Sequence, residues 1–149
     1  MAVGVESDSR FYGRLDRLAR RAIHPSGPGL HILVVEDRAW LAPRLREAGH
    51  QVRVAADRPS AVREVRTNPP DAIVLDLDLV GPDGLRVARH LWGQAAAWRR
   101  PFLVAVGGPG LPADHRASLE AGIHLHLPKP VDPDFLCRVL RRFQIVLQV

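Results

Sequence analysis

Apolar and polar residues follow one another along this chain in two rhythms. Short, apolar strand-like runs recur at Leu30–Val35, Val52–Ala55, Ala72–Leu75, Phe102–Val106 and Ile123–Leu127, the first and third nearly all apolar. A run without a polar face predicts a strand covered on both sides. Between and after these runs, apolar residues return at helical spacing over about Trp40–Ala48, Ser60–Thr67, Leu85–Ala97, Pro112–Ala121 and Pro133–Phe143. Gly49, Asn68-Pro69-Pro70 and Gly122 fall where those helices should stop. Strand and helix in strict alternation predict an α/β fold: a doubly wound, five-stranded parallel sheet with helices on both faces. Right-handed crossovers then leave few topologies.

Residues 1–29 stand outside this alternation, and 30–149 are expected to form the domain. Ser9 can cap a helix running to about Ile23, which Pro25-Ser26-Gly27-Pro28-Gly29 would end. Phe11, Leu15, Leu18 and Ala22 share one face of it, and Arg10, Arg14, Arg17 and Arg21 share another. Such a helix can pack on the domain, pair with a second copy as a homodimer, or meet a membrane surface or partner.

Composition adds little beyond a globular domain: 46% hydrophobic and 25% charged residues are ordinary. No apolar run is long enough to span a bilayer and no secretory signal is visible, so a cytoplasmic protein is expected. The single cysteine, Cys137, cannot form an internal disulfide and falls on the apolar face of the last helix. The net charge of +5 raises nucleic acid as a partner. The arginines are scattered over several helices without a DNA- or RNA-binding signature, so no nucleic-acid function is expected.

Of 21 basic residues, the lone lysine is Lys129, in Leu127-Pro128-Lys129-Pro130. A compact ammonium on a flexible stem does what an arginine fork cannot. In doubly wound sheets, chemistry gathers where the strands end. The first strand runs into Glu36-Asp37, the third into Asp76 and then Asp78, and the fifth into Lys129. Clustered carboxylates repel one another unless a cation is present. Magnesium takes one or two carboxylates and keeps sites for other oxygens. An aspartate can be phosphorylated as a nucleophile, with metal and ammonium stabilising the transferring group. The plain alternative is that these acids cap helices.

Residues 30 to about 143 resemble a response-regulator receiver domain of two-component signalling. The likeness rests on Ile32-Leu33-Val34-Val35-Glu36-Asp37, on Asp71-Ala72-Ile73-Val74-Leu75-Asp76, on Asp83-Gly84, and on Leu119-Glu120-Ala121-Gly122 with Leu127-Pro128-Lys129-Pro130. The resemblance implies a flavodoxin-like strand order 2-1-3-4-5 and a cis Lys129–Pro130 bond. It also implies Asp76 as phosphoacceptor, Lys129 as the phosphoryl contact, and magnesium on Glu36, Asp37, Asp76 and Asp78, Asp78 through its carbonyl. The implied donor is a histidine kinase or phosphotransfer protein. The role is signalling, with catalysis confined to the domain's own phosphorylation and hydrolysis. His126 stands where the family often carries a switch aromatic.

Some positions depart from the family pattern. The fourth strand should end in Thr or Ser, but Ala105-Val106-Gly107-Gly108 puts Val106 or Gly107 there, without a hydroxyl. Val80-Gly81-Pro82 replaces an earlier Pro-Gly, and Asp78 adds an acid at the mouth of the site, able to bind metal or repel a donor. Only Gln144–Val149 follow the last predicted helix, so a receiver acting alone is expected, its output partner not legible. Two other functions stay open. One is a receiver-like interaction module that no longer uses phosphate. The other is a magnesium-dependent phosphohydrolase, suggested by the Asp76-Leu77-Asp78 spacing.

Overall fold

In a computed structural model, the described residues are 29–36, 40–80, 84–96, 100–107 and 122–147. The expected N-terminal helix, Asp37, Asp83 and the helix expected over Pro112–Ala121 lie outside them. The elements are β1 (His31–Val35), α1 (Ala42–Glu47), β2 (Gln51–Ala55), α2 (Arg58–Thr67), β3 (Ala72–Asp76), α3 (Leu77–Val80), α4 (Gly84–Gln94), β4 (Phe102–Val106), β5 (Ile123–Leu127) and α5 (Pro133–Leu147).

The strands form one sheet in the order β2-β1-β3-β4-β5, every neighbouring pair parallel. This is the flavodoxin-like order expected. Side chains alternate between its faces, so each strand feeds two cores. Ile32, Val34, Ala72, Val74, Phe102 and Val104 face Leu41 and Leu45 at α1 and Phe135, Leu136, Val139 and Leu140 of α5. Leu33, Val35, Ile73, Leu75, Leu103 and Ala105 face Ala61 and Val65 of α2 and Val87, Ala88 and Leu91 of α4. Both faces of β3 and β4 are fully buried, which accounts for their unbroken apolar sequence. Cys137 packs against the α5 core, half-buried.

Boundaries differ from expectation for local reasons. α2 begins two residues before Ser60 because the Asp57 carboxylate accepts from the Ser60 amide at 2.8 Å, an N-terminal cap. α5 runs on to Leu147, beyond Phe143. α3 is a single turn directly after Asp76, where no helix was expected.

Polar side chains secure the end of the sheet where strands begin. His50 is buried, and its Nδ1 accepts from the Leu30 amide at 3.0 Å. Buried Asp71 accepts from the His31 amide at 2.8 Å, while the Phe102 amide donates to its main-chain carbonyl at 3.0 Å. Where the β4–β5 register shifts past Leu103, the His124 Nδ1 accepts from the Leu103 amide at 3.0 Å. A ring nitrogen thus replaces a ladder carbonyl at the bulge.

Candidate functional site

The opposite end of the sheet collects the acids and the lysine. β1 and β3 are neighbours with Val35 opposite Leu75. The next residues on each strand, Glu36 and Asp76, therefore emerge side by side, both buried. β5 reaches the same edge two strands away and hands the chain to Lys129 through Pro128. The Lys129–Pro130 peptide bond is cis, as the resemblance implied.

Lys129 crosses back over the end of β4 to the acids. Its Nζ lies 3.1 Å from Asp76 Oδ1, 3.1 Å from Asp76 Oδ2 and 2.8 Å from Asp78 Oδ2. An ammonium has three protons, matched here by three carboxylate oxygens. These contacts hold the Lys129 amine above the ordinary lysine range. The hydrogen bond to Asp78 is the largest cause, Asp76 adds to it, and partial burial opposes both. The two acids are themselves tied, since the Asp78 amide donates to Asp76 Oδ1 at 2.9 Å across the first turn of α3. Asp76 is well covered, its side chain 12% exposed, while the Asp78 side chain is 47% exposed.

Above these groups lies a cleft of about 880 Å³ lined by Trp40, Asp76, Asp78, Leu79, Lys129, Pro130 and Val131. Acids and ammonium form its floor, and apolar side chains form much of its wall. The sequence alone marks Asp76, Asp78 and Lys129. It does not mark Trp40 or Leu79 as rim residues, because Trp40 reads as the start of a helical stretch and Leu79 falls between the predicted elements.

Gly107, one of the two positions where the resemblance implied a hydroxyl, is held in a left-handed conformation with φ of 79°. Its amide donates to the Leu127 carbonyl at 2.8 Å, extending the β4–β5 ladder. Its carbonyl lies 2.7 Å from His126 Nε2. A carbonyl only accepts, so Nε2 carries the proton in this contact. His126 is therefore fastened to Gly107, the residue directly after β4. The amide of Gly107 is committed to Leu127, so it is not the donor that stands in for a missing hydroxyl.

The described donors suit a hard divalent cation: they are carboxylates, and Glu36, Asp76 and Asp78 outnumber the single ammonium. Among the described residues no three His, Cys, Asp or Glu side chains close on one point. Asp37, which the resemblance also implied as a metal ligand, lies outside those residues. Also among the described residues, no helix is long and apolar enough to cross a membrane.

Comparison with known proteins agrees with this geometry. The family model of the response regulator receiver domain matches residues 32–141. The chain is similar to the transcriptional regulatory protein TcrA of Mycobacterium tuberculosis, 38% identical over 117 residues, covering 76% of this chain and 45% of TcrA. It is similar to the response regulator MprA of Mycobacterium sp. (strain KMS), 34% identical, covering 68% of this chain and 44% of MprA. It thus spans about half the length of these curated relatives. Among solved structures it is similar to the receiver domain of the sensor histidine kinase PA1611 from Pseudomonas aeruginosa PAO1, which has a magnesium ion coordinated in its active-site cleft. That match has 32% identity and a TM-score of 0.64, covering 78% of this chain and 98% of that domain.

Proposed function

Because this chain belongs to the response regulator receiver domain family, we propose that it accepts a phosphoryl group on Asp76 from a histidine kinase or phosphotransfer protein and so relays a signal. The observation that carries this reading is the Lys129 ammonium 3.1 Å from both Asp76 oxygens at the floor of an open cleft. An anionic acceptor faces an anionic donor, and the ammonium offsets part of that repulsion. Burial of Asp76 beneath Lys129 keeps one carboxylate aimed into the cleft, as in-line attack on phosphorus needs. Asp37, Asp76 and the Asp78 carbonyl would hold magnesium, with Glu36 acting through water. When bound, the cation supplies charge neutralisation for the transferring group. The magnesium in the PA1611 receiver domain supports that assignment.

The test is intact-mass spectrometry after incubation with acetyl phosphate and magnesium. One added phosphoryl group is expected on the wild-type chain and none on Asp76→Asn. An unmodified wild type, or labelling that survives Asp76→Asn, overturns the reading.

A second reading has one observation in its favour. The Gly107 main chain is already hydrogen-bonded and carries no hydroxyl, so a phosphoryl group has no side-chain switch to pull at this position. Under that reading the domain is an interaction module, and beryllofluoride with magnesium leaves its amide spectrum unchanged. The phosphohydrolase alternative is less well supported, because the Asp78 carboxylate is engaged by Lys129.

A further inference from the structure

We propose that the Asp78 carboxylate is a built-in anion seated on the Lys129 ammonium, and that a phosphoryl group entering at Asp76 must displace it. The inference rests on the reading of Asp76 as phosphoacceptor and adds a gate to that site.

The distances set the competition. Lys129 makes its shortest contact, 2.8 Å, with Asp78 and longer ones, 3.1 Å, with Asp76. All three ammonium protons are engaged, so a phosphoryl oxygen gains one only when a carboxylate oxygen gives one up. Asp76 must stay, because it forms the new bond. Asp78 is the more exposed of the two acids, so its contact is the one nearer solvent. Among the described residues lining the cleft, Lys129 is the sole cation, so Asp78 and the incoming group contend for one partner. Asp78 also places a negative charge at the entrance used by an anionic donor.

Gly107 explains why Asp78 can sit there. A Cβ at position 107 would lie 2.8 Å from Asp78 Oδ2 and 3.0 Å from Lys129 Cε. The Asp78–Lys129 pair therefore fills the space that a side chain at 107 would claim. The contacts of the Gly107 peptide with Leu127 and His126 hold Gly107 in place beside that pair. The acid at 78 and the absence of a side chain at 107 are thus two halves of one arrangement.

With acetyl phosphate as donor, the bond between phosphorus and the acyl oxygen breaks, and acetate leaves with the electron pair. A bond forms between phosphorus and one Asp76 carboxylate oxygen, and no proton is gained or lost. In the same step one Lys129 N–H moves its hydrogen bond from Asp78 to a phosphoryl oxygen.

The test compares the full-length wild type with Asp78→Asn, which keeps the main-chain carbonyl and side-chain size. Labelling of lysine alone gives one side-chain ammonium resonance, since Lys129 is the only lysine. That resonance should move on substitution. Phosphorylation of Asp76 by acetyl phosphate with magnesium should then be roughly threefold to tenfold faster, a size a half-exposed ion pair supports. Beryllofluoride with magnesium should bind tighter by a similar factor. An unmoved Lys129 resonance overturns the gate, as do a labelling rate and a beryllofluoride affinity no higher than wild type. If the wild type is labelled at Asp76 while the gate fails, the phosphoacceptor reading stands alone. If neither protein is labelled, both fall.

Discussion

The two ends of the sheet handle polar side chains in opposite ways. Where the strands begin, His50, Asp71 and His124 each accept a hydrogen bond from a main-chain amide, those of Leu30, His31 and Leu103. Where the strands finish, Asp76, Asp78 and Lys129 bind one another. A main-chain amide is fixed by the ladder it belongs to, so its partner is held for as long as the fold persists. An ammonium on a flexible stem can change partners without moving a strand. One end spends its polar groups on architecture, and the other keeps them exchangeable.

Substitution at each end should separate these roles. The largest stability effect is expected from Asp71→Ala, which removes the acceptor of the partly buried His31 amide. It should lower unfolding free energy by about 1–3 kcal/mol, read as a shifted urea midpoint, with the labelling rate of folded protein unchanged. A loss below about 0.5 kcal/mol would break the contrast.

A pH series sharpens it. Burial holds the His50 imidazole below its ordinary value of 6.5, keeping the ring neutral in the fold. Its stabilising contribution is complete above that value and is lost as pH falls through the lower folded value. The urea midpoint of the wild type should therefore drop on acidification from about pH 7 to about pH 5, and His50→Gln should flatten that part of the slope.

The smallest stability effect is expected at the exchangeable end. Lys129→Met should change unfolding free energy by less than about 1 kcal/mol, because the pair is partly exposed and screened. Its raised value makes the contribution complete below 10.5 and lost as pH climbs through the higher folded value, so neutral-pH melts will report little else. A large loss of stability would make Lys129 a structural residue and erase the contrast.

Much of this organisation was legible in the chain. Ala72–Leu75 and Phe102–Val106 are unbroken apolar runs because both faces of β3 and β4 are covered, and burial on both sides leaves a pattern one can read. Asp76 and Lys129 were legible because strand ends are where this architecture concentrates chemistry, and because an arginine-rich chain keeps one lysine. The direction of the Asp78 carboxylate was not. It depends on open space above Gly107, remote in sequence, which only the packed β3–β4–β5 edge creates. The same holds for His124, whose ring takes a ladder partner only because the register slips at Leu103. The early start of α2 was hidden for a simpler reason: Asp57 precedes Arg58 and Pro59, and its reach to the Ser60 amide is a local geometry that apolar periodicity does not encode.

The tight fit between Gly107 and Asp78 also constrains the order in which this chain can change. Any side chain placed at 107 first meets a carboxylate oxygen and a left-handed backbone together, so that step is penalised on its own. Replacing Asp78 first removes the nearest obstacle, leaving the Lys129 stem and the left-handed backbone, and makes the second change easier. A route from this arrangement to one with a side chain at 107 is therefore directional, and the effect of a substitution at either position depends on what occupies the other.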